Sequence, residues 1–284
     1  MKGMLYTEID PSEIGRYIDD DRWVMEQKLD GTRVIAQVTQ HGARFLQRGG
    51  VVLKHSAATQ HLHTIEPELV ALAKALDVKG MTLDGELLTQ PGTYHLFDVV
   101  HLVTMRHYEA IVPNMPQVVR RAMLTVLGKQ LTGERVSVIR QAMTTFEKQE
   151  MWEAANRAGI EGVMLKRHDA PYEPGARVMH GLKVKLVKSA DVVVTGVNRG
   201  RTAQGRETGN ITFGVFTPLG SFEQIGRCSV IGKPHVEPGD VIEVAYLYWT
   251  GGTTYQPRMV RVREDKRPED CQMSQFPAYS RELV

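Results

Sequence analysis

Lys28 opens the run Lys28-Leu29-Asp30-Gly31-Thr32-Arg33, an amine followed at once by an acid, a glycine and an arginine. A lysine at a strand end, beside a glycine turn, suits attack on a phosphate or a grip on one. Trp23-Val24-Met25 reads as the strand leading in and Val34 to Val38 as the strand leading out, with Asp30-Gly31 as the turn between them. Five more runs carry charge or an aromatic ring on short strand-like segments. Leu83-Asp84-Gly85-Glu86-Leu87 puts a carboxylate at the start of a strand, and Phe97-Asp98 sets an aromatic beside an acid. Glu161-Gly162-Val163-Met164 begins a strand, Lys183-Val184-Lys185 sets two lysines on one strand face, and Arg263-Glu264-Asp265-Lys266 closes a β-rich region. Taken singly, each has a plainer reading: a solvated hairpin lysine, a turn, a core aromatic, a helix-end acid, an exposed edge.

The elements that must hold these residues divide the chain in two. Before residue 188, strands at Ala43–Leu46, Met81–Leu88, Tyr94–Val100 and Ile160–Leu165 mix irregularly with helices at His63–Leu76, Pro116–Leu127 and Thr145–Ala158. Thr144 with Glu147 forms a capping box for the last helix, and Gly159 stands where its C-terminal cap belongs. This is an α+β pattern. After Lys188, helical periodicity disappears. Asp191–Val197, Asn210–Thr217, Ser221–Cys228, Val241–Tyr248 and Met259–Val262 read as five strands between glycine and proline turns, the size of an oligonucleotide-binding (OB) barrel. The expected domains are 1–188 and 189–284, with Arg199 to Arg206 as a flexible loop.

Composition narrows the function classes. The 284 residues carry a net charge of +2, with 24 basic against 22 acidic residues through Lys188 and 11 against 11 after it. A nucleic-acid face must therefore be local, at Arg199, Arg201 and Arg206 or along Arg258 to Arg267. No apolar run is long enough to span a membrane. Met1 to Asp21 lacks a basic-then-apolar leader and carries Asp19-Asp20-Asp21, so a cytoplasmic location is expected. Two distant cysteines, Cys228 and Cys271, support neither a disulfide framework nor a zinc site. The histidines at 61, 63, 101 and 107 lack acidic or cysteine partners at ligand spacing and read as solvated.

In order, the six runs resemble the covalent nucleotidyltransferase superfamily, and within it the minimal two-domain ATP-dependent DNA ligases of phages, viruses and bacteria. The resemblance extends from Trp23 to about Asp270. It implies a nucleotidyltransferase (adenylation) domain followed by an OB domain, and a reaction through lysyl-AMP and DNA-adenylate that seals 5′-phosphate/3′-hydroxyl nicks. Lys28 is then the nucleophile, Glu86 holds the ribose, Phe97 stacks on adenine and Glu26 contacts its amino group. Lys183 and Lys185 grip the α-phosphate, and Arg263, Asp265 and Lys266 orient the departing pyrophosphate. Arg33 and Arg48 face the sugar or the two ends of the nick. Arg177, Arg199, Arg201 and Arg206 are further DNA contacts, and Glu161 with Asp30 would hold Mg²⁺, with Mn²⁺ as the alternative. The attacking amine must be neutral, and the cations Lys183, Lys185, Arg33 and Mg²⁺ would favour release of its proton. The implied partner is nicked duplex DNA, bound by a monomer without an obligate protein partner.

One departure stands out: many relatives carry a tryptophan just before the paired lysines, where this chain has Gly181-Leu182. NAD-dependent ligases need a domain ahead of the nucleophile and cysteine zinc modules, which do not fit the 27 residues before Lys28 and the two cysteines. RNA-capping guanylyltransferases usually have threonine at the place of Leu29 and aspartate at the place of Glu161. They and the RNA ligases are the runner-up reading. A nucleic-acid-binding protein with a dead transferase domain would have no need of the intact set of charged residues.

Overall fold

The computed structural model describes residues 1–54, 59–104, 109–110, 114–158, 160–201, 204–205 and 207–276. The chain divides into two compact units: Met1–Ala154 with Gly162–Val184, and Ala155–Glu161 with Lys185–Val284.

Two sheets build the first unit, with the short helix α1 (Gly15–Ile18) between the first two strands of the chain. One has the order β1 (Leu5–Ile9), β11 (Arg177–Lys185), β10 (Gly162–Arg167), β2 (Trp23–Gln27), β9 (Gln141–Ala142). The other has the order β4 (Gly42–Gln47), β3 (Thr32–Thr39), β5 (Val78–Leu88), β6 (Thr93–Thr104), β7 (Glu109–Ala110), with β8 (Val136–Val138) parallel to β6. Val34, Ala36 and Val38 alternate along β3 and pack, with Leu83 and Leu87 of β5, against Ile65, Leu69 and Leu72 of α2 (Leu62–Ala75). Leu124 and Leu127 of α3 (Gln117–Gly128) join the same core. The intervening positions Arg33, Ile35, Asp84 and Glu86 therefore belong to the opposite face of this sheet. Two helices cover one face, and the polar residues occupy the other.

Thr144 caps α4 (Thr145–Ala158) as expected: the Glu147 N–H donates to Thr144 Oγ1 at 3.2 Å, and the Thr144 N–H donates to Glu147 Oε2 at 3.0 Å. Gly159 lies outside the described residues. Among the described residues no helix is long and apolar enough to cross a membrane.

Most elements fall where the hydrophobic pattern puts them, and four differences stand out. Lys28 to Gly31 is not a hairpin turn, because β2 and β3 lie in different sheets and the segment crosses between them. Asp84 and Glu86 stand in the second half of an eleven-residue strand rather than at its start. Strands β1, β7, β8 and β9 were not read from the sequence at all. Finally, Arg199 and Arg201 are not in a loop, as the next unit makes clear.

The second unit is one antiparallel sheet with the order β14 (Phe222–Ser229), β13 (Glu207–Phe216), β12 (Lys188–Arg201), β15 (Val241–Tyr246), β16 (Arg258–Val262). Val192, Val194, Ile211, Phe213, Val215, Ile225, Ile242 and Val244 form its core. No strand ladder joins β14 to β16 among the described residues, so the expected barrel is open along that seam. The backbone N–H of Thr254 donating to Ile225 O at 2.8 Å laces part of β14 to the β15–β16 connection. Ladder pairing continues through Arg199↔Gly209 and Arg201↔Glu207, so the glycine- and arginine-rich stretch is a long hairpin.

Candidate active site

Both ends of the Lys28–Gly31 crossing are pinned. The Lys28 N–H donates to Gly162 O at 2.9 Å, extending the β2–β10 ladder by one rung beyond Gln27↔Val163. At the other end a Cβ on Gly31 would stand 2.4 Å from Leu87 O of β5, so only glycine allows this approach. The nucleophile candidate is thus tied to the residue after Glu161, and its loop is tied to the residue after Glu86. Asp30 and Glu86 are both half-buried.

A buried polar cluster lines the first unit beside this crossing. Glu26, 2% exposed, receives Lys166 Nζ on Oε2 at 2.6 Å and Gln141 Nε2 on Oε1 at 2.9 Å. Lys166 also donates to Phe97 O at 3.0 Å, and its ammonium stands 4.9 Å from the centroid of the Phe97 ring. Arg33 approaches the same ring at 5.3 Å. Two cations thus lie within cation–π range of one half-buried ring.

Lys166 and Gln141 were missed from the sequence. Lys166 left one signal, since a lysine in the otherwise apolar run Val163-Met164-Leu165-Lys166 must find a partner if the strand is buried.

Arg33 does not stand where it was expected. Its Nε and Nη2 donate to Asp84 Oδ1 and Oδ2 at 3.0 and 2.6 Å, and its Nη1 donates to Met4 O at 2.7 Å. The Tyr172 hydroxyl donates to the same Asp84 carboxylate at 2.6 Å. Asp84 is fully buried, and an arginine whose fork is closed on it serves packing and charge balance rather than a sugar or DNA phosphate. A second buried pair, Arg120 Nε to Asp98 Oδ1 at 2.8 Å, ties α3 to β6.

On β11, Val184 is buried while Lys183 and Lys185 are half-exposed, so the two lysines share the opposite face. Lys183 Nζ lies 3.1 Å from Glu8 Oε2 on β1, its register partner. Gly181 belongs to the lysine face, and a Cβ there would meet the Tyr6 ring at 2.4 Å. Tyr6, brought in by parallel strand β1, fills the space that a tryptophan before the lysines would need.

Arg48 lies exposed after β4, and Arg177 starts β11 with Nη1 donating to Tyr6 O at 2.8 Å. Arg206 lies outside the described residues. In the second unit, Arg199 and Arg201 are exposed on the hairpin, Arg201 3.8 Å from Glu207. The cations of the closing segment are held by acids: Arg263 closes on Asp265 at 2.9 and 2.8 Å and reaches Asp191 Oδ1 at 2.8 Å. Lys266 Nζ lies 2.8 Å from Asp191 Oδ2, which raises its pKa above the usual lysine range.

Among the described residues no group of three or more histidine, cysteine or acidic side chains could cage a metal ion. Mg²⁺ needs no such cage, because it binds readily through one or two carboxylates plus phosphate and water.

The chain combines an α+β unit, with a lysine at a sheet-to-sheet crossing, and a following OB-type sheet, a fold that can serve more than one activity. Comparison with known proteins narrows it. Residues 89–185 match the model of the ATP dependent DNA ligase domain. A probable DNA ligase of Streptomyces coelicolor is 28% identical over 303 residues, covering 87% of this chain and 57% of that protein. A probable DNA ligase of Sorangium cellulosum is 30% identical over 226 residues, covering 72% of this chain and 40% of that protein. The chain thus spans about half the length of the curated relatives it matches.

Among solved structures, a Lig E DNA ligase superposes with a TM-score of 0.59 at 18% identity, covering 93% of this chain and 100% of that one. Mycobacterial DNA ligase D complexed with ATP superposes at 0.55 and 20% identity, covering 95% and 97%. The chain is therefore similar to ATP-dependent DNA ligases, and residues 89–185 carry the match to the family's domain.

Proposed function

We propose that the protein is an ATP-dependent DNA ligase that seals 5′-phosphate/3′-hydroxyl nicks in duplex DNA. The observation that carries this reading is the pinned crossing at Lys28, with Glu161 and Glu86 each one residue from an anchor point. In the first step the Lys28 Nζ lone pair attacks the α-phosphorus of ATP. A P–N bond forms, the bond to the β-phosphate oxygen breaks, and pyrophosphate leaves with the electron pair while the amine loses its proton. AMP then passes to the 5′-phosphate of the nick, and the 3′-hydroxyl displaces it.

Phe97 stacks on adenine and Glu86 holds the ribose. Each Glu26 oxygen has two lone pairs, so both can take a protein donor and one can still accept from the adenine amino group. Lys183 and Lys185 meet the α-phosphate, and Arg263, Asp265 and Lys266 the departing pyrophosphate. Glu161 and Asp30 would hold Mg²⁺, which supplies neutralisation of phosphate charge when bound. Arg33 acts on Phe97 as a positioning residue, and Arg48, Arg177, Arg199 and Arg201 meet DNA phosphates. The working form is a cytoplasmic monomer, with a nucleotidyltransferase domain at 1–188 and an OB domain at 189–284.

The test is to incubate the protein and its Lys28→Ala variant with α-labelled ATP or GTP and Mg²⁺, then with a nicked duplex. Label from ATP on the wild type alone, discharged as the nick closes, is the expected result. Label from GTP would move the protein to RNA capping. No label on protein shown to be free of bound AMP would leave a nucleic-acid-binding module with an inactive transferase domain.

A further inference from the structure

Asp191 of β12 and Glu243 of β15 are direct cross-strand partners, and two like charges so placed repel. The basic segment that follows β15 balances them. Glu243 Oε2 accepts from Arg261 Nε at 2.7 Å, while the two oxygens of Asp191 take Arg263 Nη1 and Lys266 Nζ, each at 2.8 Å. The Asp191 side chain is only 9% exposed, so these attractions are screened less than at an open surface. Its backbone is clasped as well: the N–H donates to Gln275 Oε1 at 2.9 Å, and the carbonyl accepts from Gln275 Nε2 at 3.0 Å. One carboxylate with an oxygen on each cation fixes the two heads at a set separation, where two independent side chains would rotate freely.

From this geometry we infer that Asp191 is a positioning residue that presets Arg263 and Lys266 as one two-pronged site for the departing pyrophosphate. The inference rests on the ligase reading. The step it serves is the one in which the Lys28 Nζ–phosphorus bond forms and the bond to the β-phosphate oxygen breaks. Preset donors act there without reorganisation at the moment of reaction. Asparagine keeps the shape of Asp191 but offers one acceptor oxygen and an NH₂ group that repels the second cation.

The experiment follows single turnovers of the full chain with α-labelled ATP. Asp191→Asn should lower the rate of lysyl-AMP formation at saturating ATP by about tenfold or more, with KM for ATP little changed. Asp191→Glu should recover part of the rate. Variant charged by long incubation should then be discharged slowly by inorganic pyrophosphate, which shares the transition state, and at the wild-type rate by a nicked duplex. Discharge slowed equally by pyrophosphate and by the nick would mean general damage and overturn the inference. Wild-type rates throughout would overturn it too. If the wild type takes no label the ligase reading falls and this inference with it, whereas a labelled wild type beside an unaffected Asp191→Asn removes the inference alone.

Discussion

His95 shows how a single residue can report on its own surroundings. It stands across the ladder from Glu86, and its ring nitrogens meet Thr93 Oγ1 at 2.8 Å and Ser137 Oγ at 2.9 Å. Either hydroxyl can donate or accept, so a neutral imidazole is satisfied in either tautomer. Burial pushes its pKa below the usual 6.5. The fold therefore favours the uncharged ring, and its contribution to stability is full above pH ~6.5 and lost as pH falls below that value toward the lower folded pKa. Denaturant titrations at pH ~5.5 and ~7.5 should give a larger stability difference for the wild type than for His95→Gln. Equal differences would mean that burial at this site does not act on the ring. At this scale Lys28, Glu86, Phe97 and the two lysines stand out as candidates by type and spacing alone, and their roles belong to the proposed function. Lys166, Gln141 and Asp191 do not stand out, because what makes them matter is a partner far away in sequence.

Among the elements, helix α4 carries an unusual load. Lys148 is wholly buried, and its ammonium donates to three backbone carbonyls, Tyr17 at 3.0 Å, Asp20 at 2.8 Å and Trp23 at 3.1 Å. It ties the turn before β2 to α4, and β2 leads straight into Lys28. Lys148→Met keeps the stem but leaves three carbonyls without their donor, which should cost on the order of 3 kcal/mol. Thermal unfolding should then shift down by roughly 5–10 °C, and a shift under ~1 °C would show that water takes over the carbonyls. The long helices and central strands were readable because each repeats its own hydrophobic period over many residues. Strand β1 was not, since its pairing partner lies about 170 residues on and one of its faces carries polar side chains. The strands of two or three residues offer too few positions for any period. The end of β12 was taken for a loop because glycine and arginine are loop-like in composition, whereas ladder pairing to β13 fixes Arg199, Gly200 and Arg201 there.

For the whole molecule, the proposed function and the near-neutral charge together require DNA affinity to come from a few placed arginines. Four exposed contacts, at Arg48, Arg177, Arg199 and Arg201, would give a log–log salt slope of roughly −3.6, about a hundredfold loss of affinity between 50 and 200 mM salt. Removing Arg199 and Arg201 together should flatten that slope by about 2 with little change in sequence preference. A steep slope that survives the double substitution would place the DNA elsewhere. Helical periodicity disappears after Lys188, a few residues beyond the Val184/Lys185 division between the two compact units. The open seam of the second sheet was not legible, because strand composition does not report whether a sheet closes on itself.

The crossing at Lys28 has a consequence for how the protein should fail. Its two anchors sit on different sheets, so the nucleophile's position depends on the spacing between them and not on the integrity of either. Modest warming that shifts one sheet against the other by a fraction of an ångström would displace Lys28 while every strand remained paired. On the proposed function, the activity is then expected to fall at a lower temperature than the one at which strand pairing is lost.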